Sequence, residues 1–377
     1  MAELALRNAR IVLGNEVITG SLSAAGGLIS AVDASGSIGE DCEGDFLVPG
    51  LVELHTDHLE NHYHPRMNVY WNPLAALQAH DAQIAGSGIT TVFDALRIGS
   101  DPESPDLGAH AGALLQAIEK GDADGRLRAE HFVHLRCELP SANVVEHFEQ
   151  FCAHPMVRLA SVMDHSPGQR QYATKEAYAA YYQPRFRLSD AELEVFIAER
   201  LDEQARYAEA NRQAILERGH VHGIAFASHD DGTPEQVADS LREGMRIAEF
   251  PTTLVAAQAA HAGGLAVLMG APNVIRGKSH SGNISATELA RAGLLDVLSS
   301  DYVPFALLHA AFVLADRVES IELPAAMAMV SRNPARAVGL EDRGEIAVGQ
   351  RADLVRVKLM DGIPVVRAVY RKGRRVS

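Results

Sequence analysis

Hydrophobic and polar positions follow one pattern at the two ends of the chain and another in its middle. Residues 1 to 50 alternate short apolar runs with turn residues, as in LALRNARIVLG and DFLVPG, which is typical of strands joined by turns. The segment from 342 to 377 repeats the pattern in DLVRVKL and GIPVVRAVYRKG. Neither end is long enough to bury a core alone, so we expect 1–50 and 342–377 to form one small β-sandwich domain.

From 51 to 341, apolar runs rich in β-branched residues alternate with helix-length segments such as PDLGAHAGALLQAIEKG. Repeated βα units of this kind predict an α/β fold, a (β/α)8 TIM-like barrel. The eight candidate strands are VELHTD, ITTVFDAL, HFVHLRCEL, VRLASVMDH, GIAFASHDD, AEFPTT, GLAVLMGAPN and LLDVLSSD.

One connection, residues 166 to 220, is far longer than a barrel crossover needs. Within it, Ser189 and Glu192 have the spacing of a capping box that opens a long charged helix. The insertion is either a lid over the catalytic face or a plain pair of surface helices.

Composition restricts the partners. With 34 basic and 49 acidic residues the net charge is −15, which disfavours nucleic acid and anionic membranes and leaves a small anionic substrate dependent on a local positive site. Three separated cysteines, no secretory signal and no uninterrupted apolar span predict a soluble, cytoplasmic protein. A homodimer is one possible assembly.

The stretch LVELHTDHLENHYHPR, residues 51 to 66, holds four of the 17 histidines. It follows an apolar run, as a loop at the end of a buried strand would. A polar surface loop is the simplest interpretation, and a metal site is the alternative.

Metal-binding side chains end most of the candidate strands, where barrel enzymes build their active sites. Imidazoles and carboxylates suit Zn²⁺ or Mn²⁺, so we expect one or two divalent ions. Taken singly, each residue has a structural alternative; Asp94, for example, could cap the next helix. The residues are His55, Asp57, Asp94, Glu138, His165, His229 and Asp301.

The segment NVIRGKSHSGN, 273 to 283, follows the seventh candidate strand, where barrels often bind phosphate. Its glycines would allow backbone N–H groups near an anion, although a glycine-rich surface loop has the same composition. The candidate anion-binding residues, with two from HYHPR, are Arg276, Lys278, His280, Ser281, Asn283, His64 and Arg66.

The terminal segments, PGLVELHTD, SSDY and the ending NPARAVGL with GEIAVGQRADLV resemble the amidohydrolase superfamily over essentially the full chain. Within it, LVELHTDHLENHYHPR, SVMDHSPGQRQ and APNVIRGKSHSGNISA resemble the α-D-ribose 1-methylphosphonate 5-triphosphate diphosphatases of the carbon–phosphorus lyase pathway of phosphonate degradation. That family hydrolyses its substrate to the 5-phosphate and pyrophosphate.

The resemblance implies that His55, Asp57 and Asp301 hold one metal and that His165 and His229 hold a second, with Glu138 bridging. Two features depart from the common superfamily pattern: His-x-Asp replaces His-x-His, and Glu138 stands where many members use a carboxylated lysine.

The resulting hypothesis is metal-assisted hydrolysis of a phosphoanhydride, with Asp301 as general base. The alternative is hydrolysis of a C–N bond on the same fold by a deacetylase, deaminase or cyclic amidase, which would have no need of Arg276 and Lys278 together. A catalytically inactive barrel that serves in an assembly is a third hypothesis.

Overall fold

The computed structural model describes residues 4–33, 36, 38–66, 69–100, 107–172, 174–277 and 283–377. Eight parallel strands form one sheet in the order β13-β12-β11-β10-β9-β8-β7-β6. This confirms the predicted barrel class. Its strands are β6 (Leu51–Thr56), β7 (Ile89–Ile98), β8 (Glu130–Glu138), β9 (Val157–Met163), β10 (Ala225–His229), β11 (Ile247–Glu249), β12 (Ala266–Gly270) and β13 (Val297–Ser299).

Each of the eight candidate strands coincides with a barrel strand, with differences at the ends. The second continues to Ile98, so Asp94 lies inside β7 and not at its end. The last is shorter than predicted, because β13 ends at Ser299 and Asp301 follows it.

Helices separate most of the barrel strands, as the alternation predicted. Their bounds are α1 (His58–Tyr63), α2 (Pro73–Gly86), α3 (Leu107–Ala123), α4 (Val144–Phe151), α5 (Lys175–Phe186), α6 (Asp190–Val221), α7 (Pro234–Arg242), α8 (Leu254–Ala262), α9 (Ala271–Arg276), α10 (Ala286–Arg291), α11 (Ala306–Arg317), α12 (Leu323–Ala328) and α13 (Arg332–Ala337).

Strands from both termini form a second sheet in the order β16-β15-β14-β5-β1-β2-β3, with β4 beside β1. Its central strand β5 pairs antiparallel with β14 and parallel with β1, which joins the two ends of the chain. Leu6, Ile11, Leu22, Leu47 and Leu354 are fully buried in its core. The strands are β1 (Leu4–Val12), β2 (Val17–Ala25), β3 (Leu28–Asp33), β4 (Glu40–Asp41), β5 (Phe46–Pro49), β14 (Leu354–Met360), β15 (Ile363–Arg371) and β16 (Arg374–Arg375).

By its contacts the chain divides into two compact units. The first comprises Met1–Asp94, Gln116–Phe132 and Leu268–Ser377 and contains the terminal sheet with barrel strands β6 and β13. Within it, a parallel bridge joins Thr56 to Asp301, so the segments that follow the first and last barrel strands are neighbours.

The second unit comprises Ala95–Leu115 and Val133–Val267 and contains β9, β10, β11 and the insertion. The capping box is confirmed: Ser189 Oγ accepts from Glu192 N, and Glu192 Oε2 accepts from Ser189 N at 2.9 Å, at the start of the 32-residue helix α6. Tyr178, Tyr182, Leu193 and Ile197 form a buried cluster between α5 and α6. A lid role for these helices stays a prediction. None of the helices in the described part of the chain is long and apolar enough to cross a membrane.

Candidate metal centre

His55 and Asp57 lie at the end of barrel strand β6. All six residues of the strand are buried, because a barrel strand is covered on both faces, and His55 is only 1% exposed. The strand ends at Thr56, and Asp57 is the residue that precedes helix α1. The predicted His-x-Asp pair therefore stands at the junction of a strand and a helix, as expected.

Asp301 is held close to His55 by the backbone. Its N–H donates to the His55 carbonyl oxygen at 3.1 Å. Its φ of +56° lies in the left-handed region, which is uncommon for a residue other than glycine and is concentrated at functional sites. Within the first unit, the backbone thus places Asp301 beside the end of β6, which carries His55 and Asp57. These three predicted ligands are referred to below as the first set.

Glu53 supports this first set and was missed in the sequence. Its Oε1 accepts from the His55 N–H at 2.7 Å, and its Oε2 accepts from the Ser300 N–H at 2.6 Å. The carboxyl group is fully buried, and burial raises its pKa to about 7 in spite of these hydrogen bonds. The Glu53 side chain therefore holds the backbone at His55 and at Ser300, the residue before Asp301. Glu53 could have been recognised in the sequence as an acidic residue inside an otherwise apolar strand, because a buried carboxylate requires hydrogen-bond partners.

Glu138 and His165 form the second set with His229, in the second unit. Glu138 Oε2 lies 2.7 Å from His165 Nδ1, and Glu138 Oε1 accepts from the His165 N–H at 3.2 Å. Burial lowers the pKa of His165, but the negative charge of Glu138 outweighs it and the net direction is upward. The rings of His165 and His229 are 5.7 Å apart and nearly perpendicular.

Two further carboxylates, neither of them predicted from the sequence, belong to this second set. Asp230 Oδ2 lies 3.4 Å from His229 Nε2, and one ligand atom each of His165, His229 and Asp230 lie within 4.8 Å of one another. Glu249 Oε2 lies 2.7 Å from His229 Nδ1 and also accepts from Ser161 Oγ at 2.7 Å. A carboxylate on the far nitrogen of a histidine is the usual outer support of a metal ligand.

Asp94 lies inside strand β7 and does not cap a helix. It is fully buried, with Oδ1 2.7 Å from His80 Nε2 and Oδ2 2.7 Å from His131 Nδ1. Burial opposes its ionisation, but the charge of His131 and contact with His80 lower its pKa to about 2. His131 also lies 3.3 Å from Asp81, and although burial lowers its pKa, Asp94 and Asp81 together raise it to about 9. Within the first unit, His131 therefore forms buried ion pairs with Asp94 and Asp81.

The predicted anion-binding residues lie at several places. Arg276 is exposed at the end of α9, and Asn283 is half-buried. His64 ends α1 with its ring stacked on Tyr70 at 4.7 Å, and Arg66 is exposed. Lys278, His280 and Ser281 lie outside the described residues.

The donor sets suit divalent metal ions. In the second set, ligand atoms of His165, His229 and Asp230 lie together, and imidazole nitrogens with carboxylate oxygens are the donors that suit Zn²⁺ and Mn²⁺. A parallel barrel that carries such ligands after its strands has the architecture of a metal-dependent hydrolase.

Comparison with known proteins agrees with this class. A model of the amidohydrolase family (Amidohydro_3) matches residues 189–376. The chain is 46% identical over 375 residues to an alpha-D-ribose 1-methylphosphonate 5-triphosphate diphosphatase of Escherichia coli, covering 98% of this chain and 99% of the relative. The chain belongs to the amidohydrolase family, whose superfamily is metal-dependent.

More distant similarities agree on the fold. An adenine deaminase of Desulfatibacillum aliphaticivorans is 26% identical over 94% of this chain and 54% of its own length. The crystal structure of N-isopropylammelide isopropylaminohydrolase from Burkholderia multivorans superimposes with a TM-score of 0.65 at 17% identity, covering 99% of this chain and 97% of the other. At that identity the likeness concerns the fold alone.

Proposed function

We propose that this protein hydrolyses α-D-ribose 1-methylphosphonate 5-triphosphate to the 5-phosphate and pyrophosphate in phosphonate degradation. The observation that carries the proposal is 46% identity, over 98% of the chain, to a relative named for that diphosphatase activity. The cluster of His165, His229 and Asp230 supports it, because these residues could hold a divalent ion, and phosphoanhydride cleavage needs charge neutralisation on phosphoryl oxygens.

We assign one divalent ion to His55, Asp57 and Asp301, and a second to Glu138, His165 and His229, with Zn²⁺ or Mn²⁺ as the metal. Asp230 is added to the second set because its carboxylate shares the ligand geometry of His165 and His229. Bound divalent ions would lower the pKa of water and neutralise the charge of the triphosphate.

Asp301 is proposed as general base. It accepts the proton of the attacking water at a carboxylate oxygen, and its backbone hydrogen bond to His55 holds it in place for that transfer. Glu53 positions both residues by accepting from His55 N and Ser300 N.

The pyrophosphate end of the substrate is proposed to bind Arg276, Lys278, His280, Ser281 and Asn283. His64 and Arg66 would complete the anion-binding residues. A protein of net charge −15 needs such a local basic group to attract a triphosphate. The same balance of charge makes a small anion a better partner than nucleic acid.

The second candidate is hydrolysis of a C–N bond. A specific observation favours it, since the adenine deaminase relative is similar over 94% of this chain. The metal chemistry would be the same, with a carbon atom as the site of attack in place of phosphorus.

The test is phosphorus NMR of the metal-reconstituted enzyme with the ribosyl methylphosphonate triphosphate. Wild type should release pyrophosphate, and Asp301→Asn should reduce the rate by about 10²–10⁴-fold because the general base is lost. Asparagine tolerates the left-handed backbone at this position, so the fold should persist. Tyr302→Phe, a change at the exposed neighbouring residue, should keep near wild-type turnover.

An unchanged triphosphate spectrum with metal-loaded wild type, together with release of ammonia from an aminopurine, would replace the proposal with the C–N candidate. Equal rates for wild type and Asp301→Asn would remove Asp301 from the role of base.

Three further expectations remain proposals. The domain boundaries are placed at 50/51 and 341/342, with the helical insertion at about 166–220. A cytoplasmic location is proposed from the separated cysteines, and a homodimer is one possible assembly.

A further inference from the structure

Three histidines meet where helix α1 packs on helix α2, and none of them has a part in the function proposed above. His58 and His62 are four residues apart and so share one face of α1. His80 lies on α2, and its ring centroid is 6.1 Å from that of His58 and 5.9 Å from that of His62. One ring nitrogen from each of the three lies within 4.8 Å of the other two.

The hydrogen bond between His80 and Asp94 determines which ring nitrogen of His80 is available to bind a metal. Its Nε2 is 2.7 Å from Asp94 Oδ1. Because an ionised carboxylate only accepts, Nε2 carries the hydrogen of this contact, and Nδ1 is the nitrogen that can offer a lone pair. His80 is fully buried, and its Nδ1 has no hydrogen-bond partner. Leaving a buried acceptor unpaired costs about 1–3 kcal/mol, so this atom requires an explanation.

In each of the two histidines of α1, Nδ1 is likewise available to bind a metal. His58 Nδ1 is also buried without a hydrogen-bond partner. His62 Nε2 is 3.1 Å from the Gln83 amide oxygen, which accepts and leaves the lone pair on Nδ1. A neutral imidazole is the form that binds metal.

We propose that His58, His62 and His80 form a transition-metal site of the Zn²⁺ class at the junction of α1 and α2. The site would be made of residues distinct from the two catalytic ligand sets. An all-imidazole set selects Zn²⁺ and its neighbours over Mg²⁺ or Ca²⁺. Asp94 and Gln83 orient two of the three rings from outside, as carboxylate and amide partners of zinc ligands commonly do.

The geometry is within reach of such an ion. Zn–N bonds of 2.0–2.1 Å place tetrahedral ligands about 3.3 Å apart, and ring rotations on a short helix can close the remaining distance from 4.8 Å. The bound ion would join α1 to α2. Since α1 begins directly after Asp57, the site would also stabilise the segment that presents this catalytic ligand.

Co²⁺ is the probe for this site, because its visible absorption reports tetrahedral nitrogen coordination without any enzymatic turnover. Chelator-treated full-length protein is titrated with Co²⁺, and the bound equivalents are counted by mass spectrometry of the metal after gel filtration. His62→Gln and His58→Gln should each bind one equivalent fewer than wild type and lose the corresponding absorption. His222→Gln, at an exposed histidine, is the matched control and should bind as wild type does.

Circular dichroism of each metal-free variant shows that it has folded, and two separate ligand variants protect the test against failure of one. Unchanged equivalents and spectra in both folded variants would overturn the proposal. Because the measurement is metal binding, its outcome does not depend on which bond the barrel hydrolyses.

Discussion

His131 offers a direct test of the buried network, because its charge depends on the fold. Burial alone would lower its pKa, but Asp94 and Asp81 raise it from the ordinary 6.5 to about 9. A histidine whose pKa is higher in the folded state stabilises the protein fully below 6.5, and that stabilisation is lost as the pH rises through 9.

The magnitude follows from this interval. The pKa difference between 6.5 and about 9, at 1.36 kcal/mol per pH unit, corresponds to about 3 kcal/mol of unfolding free energy. His131→Asn places a side-chain amide near the position of Nδ1 but cannot carry the charge. We therefore expect the variant to be less stable by about 3 kcal/mol at pH 6.5, with the difference shrinking toward pH 10.

The assay is urea unfolding of metal-free, chelator-treated protein, monitored by circular dichroism at pH 6.5, 8 and 9.5. His222→Asn, at an exposed position, is the control and should follow wild type at every pH. A deficit in His131→Asn that stays constant from pH 6.5 to 9.5 would refute the reasoning, since the loss would then come from packing and not from charge.

The remaining predictions concern the supports of the proposed chemistry. Glu249→Gln should weaken metal binding about 10–100-fold in competition with a chelator, because His229 Nδ1 loses a charged partner at 2.7 Å; unchanged affinity would make that contact merely structural. Arg276→Ala should raise KM for the triphosphate with a smaller effect on kcat, whereas Arg291→Ala, at the exposed end of the neighbouring helix α10, should change neither. Equal kinetic effects of both arginine changes would indicate a general loss of positive charge and no specific anion site.

Local patterns predicted much of the fold because the features involved are short in range. The alternation of β-branched runs with helix-length segments predicted all eight barrel strands, since a strand buried on both faces must be apolar along its length. The Ser189–Glu192 pair marked the start of α6 because a capping box is formed within four residues.

The candidate site could be predicted only in part. His55 lies near the end of a strand, Asp57 and Asp301 follow strands, and strand ends can be recognised from hydrophobicity alone. Glu53 lies inside an apolar strand and Glu249 ends the short strand β11. Both remained unnoticed because they contact residues distant in sequence, Ser300 for Glu53 and Ser161 for Glu249.

The sequence by itself determined which side chains can bind metal and roughly where the strands run, since both depend on residue type and near neighbours. Only the tertiary structure decided which of them meet. The sequence around Asp94 is compatible with capping a helix or binding a metal, and in the structure Asp94 pairs with His80 and His131, which lie 14 and 37 residues away. Such pairings arise because a buried charged group loses its hydration, and only a neighbouring side chain placed there by the fold can compensate for that loss.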